Sequence, residues 1–216
     1  MQKSSLPQPQ LIIFDLDNTL YHADNGLFAQ MDRNINHFIC SHLKLNWHEA
    51  DTLRLRYWKR YGTTLTGLMR HHAITPEPFL EMAHNLNIDS ALNHNPQLDR
   101  LLHLLPARKV IHTNGTCEHA QRVMLRLGVL NHFTAIYDIR FNNYQPKPCS
   151  RTLQMVLQKE RAVATTTLVI DDLADNLHAA DSIGCQTAWI TAQQCHQHPF
   201  GYHCSSITTL LTQLIT

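Results

Sequence analysis

No run of about 18 or more apolar residues occurs in this chain, so nothing in it reads as a membrane-spanning helix, and its first ten residues lack the apolar core of a signal peptide. A surplus of charge is missing too. With 18 basic and 17 acidic residues the formal net charge is +1, so no whole-protein field draws the chain to nucleic acid or a lipid surface, and an anionic ligand has to be held by local groups. The six cysteines, Cys40, Cys117, Cys149, Cys185, Cys195 and Cys204, form no CxxC pair and no short repeated spacing. Free thiols and a soluble, cytoplasmic protein are therefore expected. Internal repeats and low-complexity tracts are absent as well. At 216 residues there is room for one sizeable core, or for one core carrying a smaller insertion.

Histidine, by contrast, is abundant. Of the 16 residues, three cluster with cysteines in Cys195-His196-Gln197-His198 and in His203-Cys204 just beyond. Thiolates and imidazoles ligate zinc, but this spacing fits no common zinc pattern, and a polar surface loop accounts for it.

The most informative stretch is Leu11-Ile12-Ile13-Phe14-Asp15-Leu16-Asp17. An apolar run of this kind reads as a fully buried parallel strand, and open α/β sheets hold their ligands at the carboxyl ends of such strands. Asp15 at the tip can attack phosphorus to form an acyl phosphate. Asp17, two residues on, can protonate the leaving oxygen and later activate water. The competing reading is an ordinary strand ending in a solvated acidic turn.

Beyond Tyr21 the periodicity turns helical. Leu27, Met31, Ile35, Phe38 and Ile39 share one face, and further helices are expected over 48–61, capped near Asn46 and stopped by Gly62, and over 65–72, 77–86 and 97–105. From Arg108 onward short apolar runs alternate with helical segments, the mark of βαβ units. Strands are expected at 109–112, 135–138, 168–170 and 187–190, and helices at 117–127, 151–159, 176–183 and 207–215. The fold class is therefore α/β, a doubly wound parallel sheet interrupted after its first strand by an all-helical insertion.

Each later strand ends in groups that phosphoryl transfer can use. Thr113-Asn114-Gly115 offers a hydroxyl, an amide and a backbone able to approach phosphate oxygens. Lys147, stiffened between Pro146 and Pro148, suits charge neutralisation. Asp171-Asp172, with Asp175-Asn176 following, crowds carboxylates where a phosphate dianion would be repelled, which implies a hard divalent ion, Mg²⁺ before others. Taken singly these are a capping threonine, a surface turn and acids complementing a helix dipole. Those readings do not explain the strand ends together.

Asp15-Leu16-Asp17-Asn18-Thr19, Thr113-Asn114, Lys147 and Asp171-Asp172 resemble, in order and spacing, the four motifs of the haloacid dehalogenase superfamily. The resemblance covers nearly the whole chain. It implies a Rossmann-like core from residues 9–21 and 100–216 and an inserted helical cap at 22–99. It further implies Asp15 as nucleophile and Asp17 as general acid/base, with Thr113, Asn114 and Lys147 holding phosphate. Mg²⁺ would be bound by Asp15, Asp172 and the backbone carbonyl of Asp17, with Thr19, Asp171 and Asn176 in support. Haloalkanoate dehalogenases of the superfamily lack the second acid and need no metal, so Asp17 favours a phosphatase.

Asp17-Asn18-Thr19-Leu20-Tyr21, Gly26-Leu27-Phe28 and the segment from Tyr57 to Met69 resemble the pyrimidine 5′-nucleotidase branch, which implies a nucleoside 5′-monophosphate as the small-molecule substrate. Leu173 departs from the serine that many relatives carry after the acidic pair. The alternatives are a phosphatase or phosphomutase of phosphosugars or other metabolites and, from another class, a catalytically idle fold that binds a nucleotide or protein. Oligomeric state is not legible.

Overall fold

The computed structural model describes residues 8–193 and 198–215. Strands β1 (Leu11–Phe14), β2 (Arg108–His112), β3 (Ala135–Tyr137), β4 (Thr167–Asp171), β5 (Gln186–Ile190) and β6 (Tyr202–Cys204) form one parallel sheet in the order β3-β2-β1-β4-β5-β6. The chain thus winds outward from β1 in both directions, and the point of reversal, where open α/β sheets bind ligands, lies at the carboxyl end of β1. Phe14 pairs in register with both Ile111 and Ile170, so Asp15, His112 and Asp171 arrive at one level.

The apolar run of β1 is buried on both sides because each face has its own helical cover. Ile12 and Phe14 pack with Ile111, Leu168 and Ile170 beneath α6 (Pro96–Leu104), α7 (Cys117–Leu127) and α10 (Ile207–Ile215). Leu11 and Ile13 face the other way, with Val110 and Val169, beneath α8 (Ser150–Glu160) and α9 (Ala174–Asp181).

Between β1 and β2 stand α1 (Leu27–Leu43), α2 (Trp47–Tyr61), α3 (Thr64–His72), α4 (Pro76–Ala83) and α5 (Ile88–Ala91), followed by α6. Local chemistry sets their ends. Asn46 and Glu49 exchange side-chain and backbone bonds in a capping box at the start of α2, and Gly62 ends it at φ +81°. Phe38, Ile39, Leu53, Tyr57, Leu68, Phe79 and Leu80 build a separate cluster among α1–α4. From Leu86 onward, Ile88, Leu92, Leu98 and Leu102 instead join the cluster beneath the sheet.

Three details differ from expectation. The last strand, β6, occupies part of the segment read as a surface loop. It is three residues long with no apolar run, and pairing along β5 makes it a strand. The four-residue α5 is too short to show periodicity and packs on α7. Third, α4 stops at Ala83 rather than 86, where the His84 ring turns back to bond the Leu80 carbonyl at 2.9 Å. Cys40, Cys117, Cys149, Cys185 and Cys204 are free thiols, as expected. Among the described residues no helix is long and apolar enough to cross a membrane.

Gly67 lets α3 come close against Tyr57 of α2. A Cβ there would overlap the Tyr57 ring and lie 2.6 Å from the Tyr57 Cβ, so a side-chain rotation cannot clear it. In an unpacked helix Gly→Ala gains about 1 kcal/mol, but overpacking here costs about 1–3 kcal/mol. Gly67→Ala is expected to lower the urea unfolding midpoint, and an unchanged or raised midpoint would contradict this packing.

Candidate active site

Asp15 is the first residue beyond β1, and a buried lysine meets it there. Lys147 Nζ donates to Asp15 Oδ1 at 2.7 Å and to Asp171 Oδ2 at 2.8 Å. The lysine loop is itself held. Lys147 N–H donates to Asn114 Oδ1 at 2.8 Å, and Asn114 Nδ2 donates to the Lys147 carbonyl at 3.4 Å. Asn114, expected on the phosphate, therefore engages the lysine backbone through both ends of its amide. Asp171 is held on its other oxygen as well, since its Oδ1 accepts from Leu173 N at 2.9 Å and Asn176 Nδ2 at 2.8 Å. Asp172 Oδ2 accepts at 2.7 Å from Asn18, a residue whose left-handed φ of 63° asparagine tolerates.

Thr113 is buried, and its Oγ1 accepts from Gly115 N at 2.9 Å, which leaves its own hydrogen to donate. The Thr19 hydroxyl is buried without a partner among the described residues. His112, not singled out from the sequence, faces Lys147, and burial together with that ammonium holds its pKa down at about 3. It is a neutral wall.

Asp15, Asp171 and Asp172 each offer an oxygen within 4.8 Å of the others, the one group of three or more possible ligands among the described residues. Burial raises Asp15 most, Lys147 opposes it, and Asp171 and Asp172 add to it, leaving a pKa of about 8. Burial and Asp171 likewise push Asp172 to about 6. For Lys147 burial favours the neutral amine, but Asp15 and Asp171 outweigh it and raise its pKa. Three carboxylates thus face one ammonium. Hard oxygen donors short of positive charge are what a divalent cation such as Mg²⁺ takes, so the residues present fit one.

Asp17 stands apart from that cluster. Its Oδ1 lies 2.7 Å from His119 Nε2 and 2.5 Å from the Tyr21 hydroxyl. Burial works against ionisation, but His119 and Tyr21 overcome it and hold the pKa at about 2. Sequence reasoning singled out neither partner. The one signal for His119 was its place in the first turn of the helix that follows Thr113-Asn114-Gly115.

Two spaces adjoin these groups. The one bounded by Asp15, His112, Lys147, Asp171 and Asn176 measures about 20 Å³, room for a water and no more. A cleft of about 790 Å³ between α4 and α7 is lined by Glu77, His84, Thr116, His119, Arg122 and Arg140. Arg140 spans it, bonding Glu77 at 2.8 Å on one side and Glu118 at 2.8 Å on the other. Of the candidate zinc ligands, Cys195 and His196 lie outside the described residues. The rings of His198 and His203 lie 5.0 Å apart between centroids, tilted at 60°, while the Cys204 thiol bonds Gln213.

The family described as haloacid dehalogenase-like hydrolase matches residues 9–184. Phosphate metabolism protein 8 of Saccharomyces cerevisiae is 25% identical over 195 residues, 82% of this chain and 60% of that protein. The chain thus spans about 60% of the length of that relative. Among solved structures, CbbY from Rhodobacter sphaeroides in complex with phosphate is similar at a TM-score of 0.65 and 15% identity, covering 94% of this chain and 96% of that one. A HAD phosphatase from Thermococcus onnurineus is similar at 0.64 and 15% identity, covering 95% and 97%. At such identities the likeness speaks for the fold.

The acidic cluster generates a test. Without a cation, Asp15 binds a proton below about pH 8 and Asp172 below about pH 6. A divalent ion needs both ionised, so Mg²⁺ affinity should climb as pH rises from 6 to 8, with net release of protons on binding. Calorimetry in buffers of different protonation heat reads both quantities. Affinity unchanged across that range would contradict the account, as would full affinity in Asp172→Asn.

Proposed function

The chain belongs to the haloacid dehalogenase-like hydrolase family, and from that premise we propose that it is a Mg²⁺-dependent phosphomonoesterase working through an aspartyl phosphate on Asp15, with nucleoside 5′-monophosphates as substrates. The observation that carries the reading is the contrast between Asp15 and Asp17. Asp15 sits at the tip of β1 with Asp171, Asp172 and the Lys147 ammonium, whereas Asp17, two residues on, is held by His119 and Tyr21, so the two carboxylates face different partners. Asp15 lies against Lys147 in the acidic cluster. Asp17 has donors of its own.

In this mechanism an oxygen of Asp15 attacks phosphorus while the bond to the leaving oxygen breaks, and Lys147 and the Thr113 hydroxyl bind the phosphoryl oxygens. The carboxylates of Asp15 and Asp172 and the backbone carbonyl of Asp17 would hold Mg²⁺. That ion supplies the charge that keeps Asp15 ionised and polarises the phosphoryl group. The negative charge of the arriving phosphate raises the pKa of Asp17, which lets it take up a proton and give it to the leaving oxygen. As a carboxylate again, Asp17 removes a proton from water. The water oxygen attacks phosphorus, the acyl phosphate bond breaks, and phosphate leaves. Thr19, Asp171 and Asn176 support these groups, and Asn114 acts through the lysine loop.

The domain division belongs to the same proposal. Residues 9–21 and 100–216 form the core and 22–99 the cap, with the separately packed α1–α4 as the part that moves. The contact of the Gly62 turn with the Lys147 carbonyl puts the α1–α4 unit beside the site, which supports a part in gating substrate entry. The 790 Å³ cleft falls within the roughly 300–1,000 Å³ of small-molecule sites, room for the body of a nucleotide. The resemblance of the segments from Asp17 to Phe28 and from Tyr57 to Met69 favours a nucleotide over a phosphosugar. The name of the yeast relative is in keeping with phosphate release.

Phosphate release from ribo- and deoxyribonucleoside 5′-monophosphates, phosphosugars and an aryl phosphate, with Mg²⁺ and with chelator, tests the reading. Chelator-sensitive turnover favouring UMP or CMP is expected. Preference for phosphosugars would keep the chemistry and discard the substrate, and no turnover would discard both. Asp15→Asn should stay folded and lose several orders of magnitude in kcat, as nucleophile removal does.

A further inference from the structure

Asp17 is a short carboxylate on a turn, and in the mechanism above it has to meet a leaving oxygen and later a water in the same place. Small misplacements of an acid or base are expensive in rate, so what holds this side chain matters. Both of its side-chain donors among the described residues, His119 Nε2 and the Tyr21 hydroxyl, converge on Oδ1, which leaves Oδ2 to carry the proton. Together they hold the carboxylate off the three-aspartate cluster.

His119 is built for this. Its side chain is wholly buried, and its backbone N–H donates to the Thr116 hydroxyl at 3.2 Å, fixing it in the first turn of α7. The ring cannot swing away. His84, from the end of α4, packs on it with ring centroids 4.9 Å apart, and the His84 ring is itself tied to the Leu80 carbonyl. Gly115 makes the space, since a Cβ there would stand 3.3 Å from His119 Cδ2, His84 Nε2 and Thr113 Oγ1 alike.

We propose that His119 is a positioning residue that, with Tyr21, fixes the Asp17 carboxylate so that Oδ2 faces the leaving oxygen. The proposal rests on the phosphomonoesterase reading for its kinetic test. His119→Leu removes the donor at similar bulk, and His119→Gln puts an N–H donor back at similar reach. The value of kcat/KM reports steps through the first irreversible one, so it isolates leaving-group departure from the later attack of water. For UMP, whose alkoxide needs a proton, His119→Leu should lose about 100-fold in kcat/KM, and His119→Gln should regain about 10-fold of it. For p-nitrophenyl phosphate, whose leaving group needs none, both should stay within about three-fold.

Equal losses on the two substrates, or no recovery with glutamine, would overturn the proposal in favour of simple packing. If His119→Leu does not fold, Tyr21→Phe takes its place, with the same selective loss expected and equal losses overturning it. Crystal structures give a readout independent of turnover. A displaced Asp17 carboxylate in His119→Leu, restored in His119→Gln, supports positioning, and an unmoved one overturns it. Should the parent enzyme hydrolyse neither substrate, the functional reading fails while these structures still decide the role of His119.

Discussion

A lysine ammonium buried between two aspartates is the interaction on which this site depends. Lys147 joins a loop beyond β3 to the ends of β1 and β4, and each of its bonds crosses a long stretch of chain. Burying an ammonium among carboxyl groups costs far more than a surface pair does. Such an arrangement is poor support for stability in itself, because matched apolar groups would do as well or better. Its sense lies in placing positive charge against Asp15 at the one point where the sheet reverses direction.

Around that bridge the same two-residue spacing delivers carboxylates into opposite conditions. Asp15 points into a dry acidic cluster where burial and like charges resist ionisation. Asp17 turns toward an imidazole and a phenol that favour it. The difference comes from the partners on α7 and in the turn after β1, not from the aspartates. Hydrogen-bonded polar networks are rigid, and Asn18, Asn114 and Asn176 each use amides to fix a charged neighbour.

The helical unit meets this network directly. A Cβ on Gly62 would lie 3.1 Å from the Lys147 carbonyl, so the turn between α2 and α3 sits on the lysine loop. Glu77 at the start of α4 receives both Arg140 and the Tyr144 hydroxyl. His84 at its end covers His119. Beside these polar contacts, Ile139 from the segment after β3 joins the apolar cluster of α1–α4, and Tyr144 packs against it.

Much of this was legible in the chain. The alternation of apolar runs with helical periods determined a parallel α/β sheet, because strands covered on both faces must be apolar throughout, as Leu11–Phe14 are. Asp15, Lys147 and Asp171 were visible because strand ends and a proline-flanked turn advertise themselves locally. The edge strand β6 and the short α5 were not, since each takes its order from a neighbour rather than from its own pattern. His119 and Tyr21 as partners of Asp17, the turn of Asn114 onto the lysine backbone, and the opposed pKa values of two near-adjacent aspartates were decided by tertiary structure alone. Periodicity reports which face of an element is buried, but electrostatics depends on what arrives opposite that face. For Asp17 that group lies 102 positions away along the chain and 2.7 Å away in space.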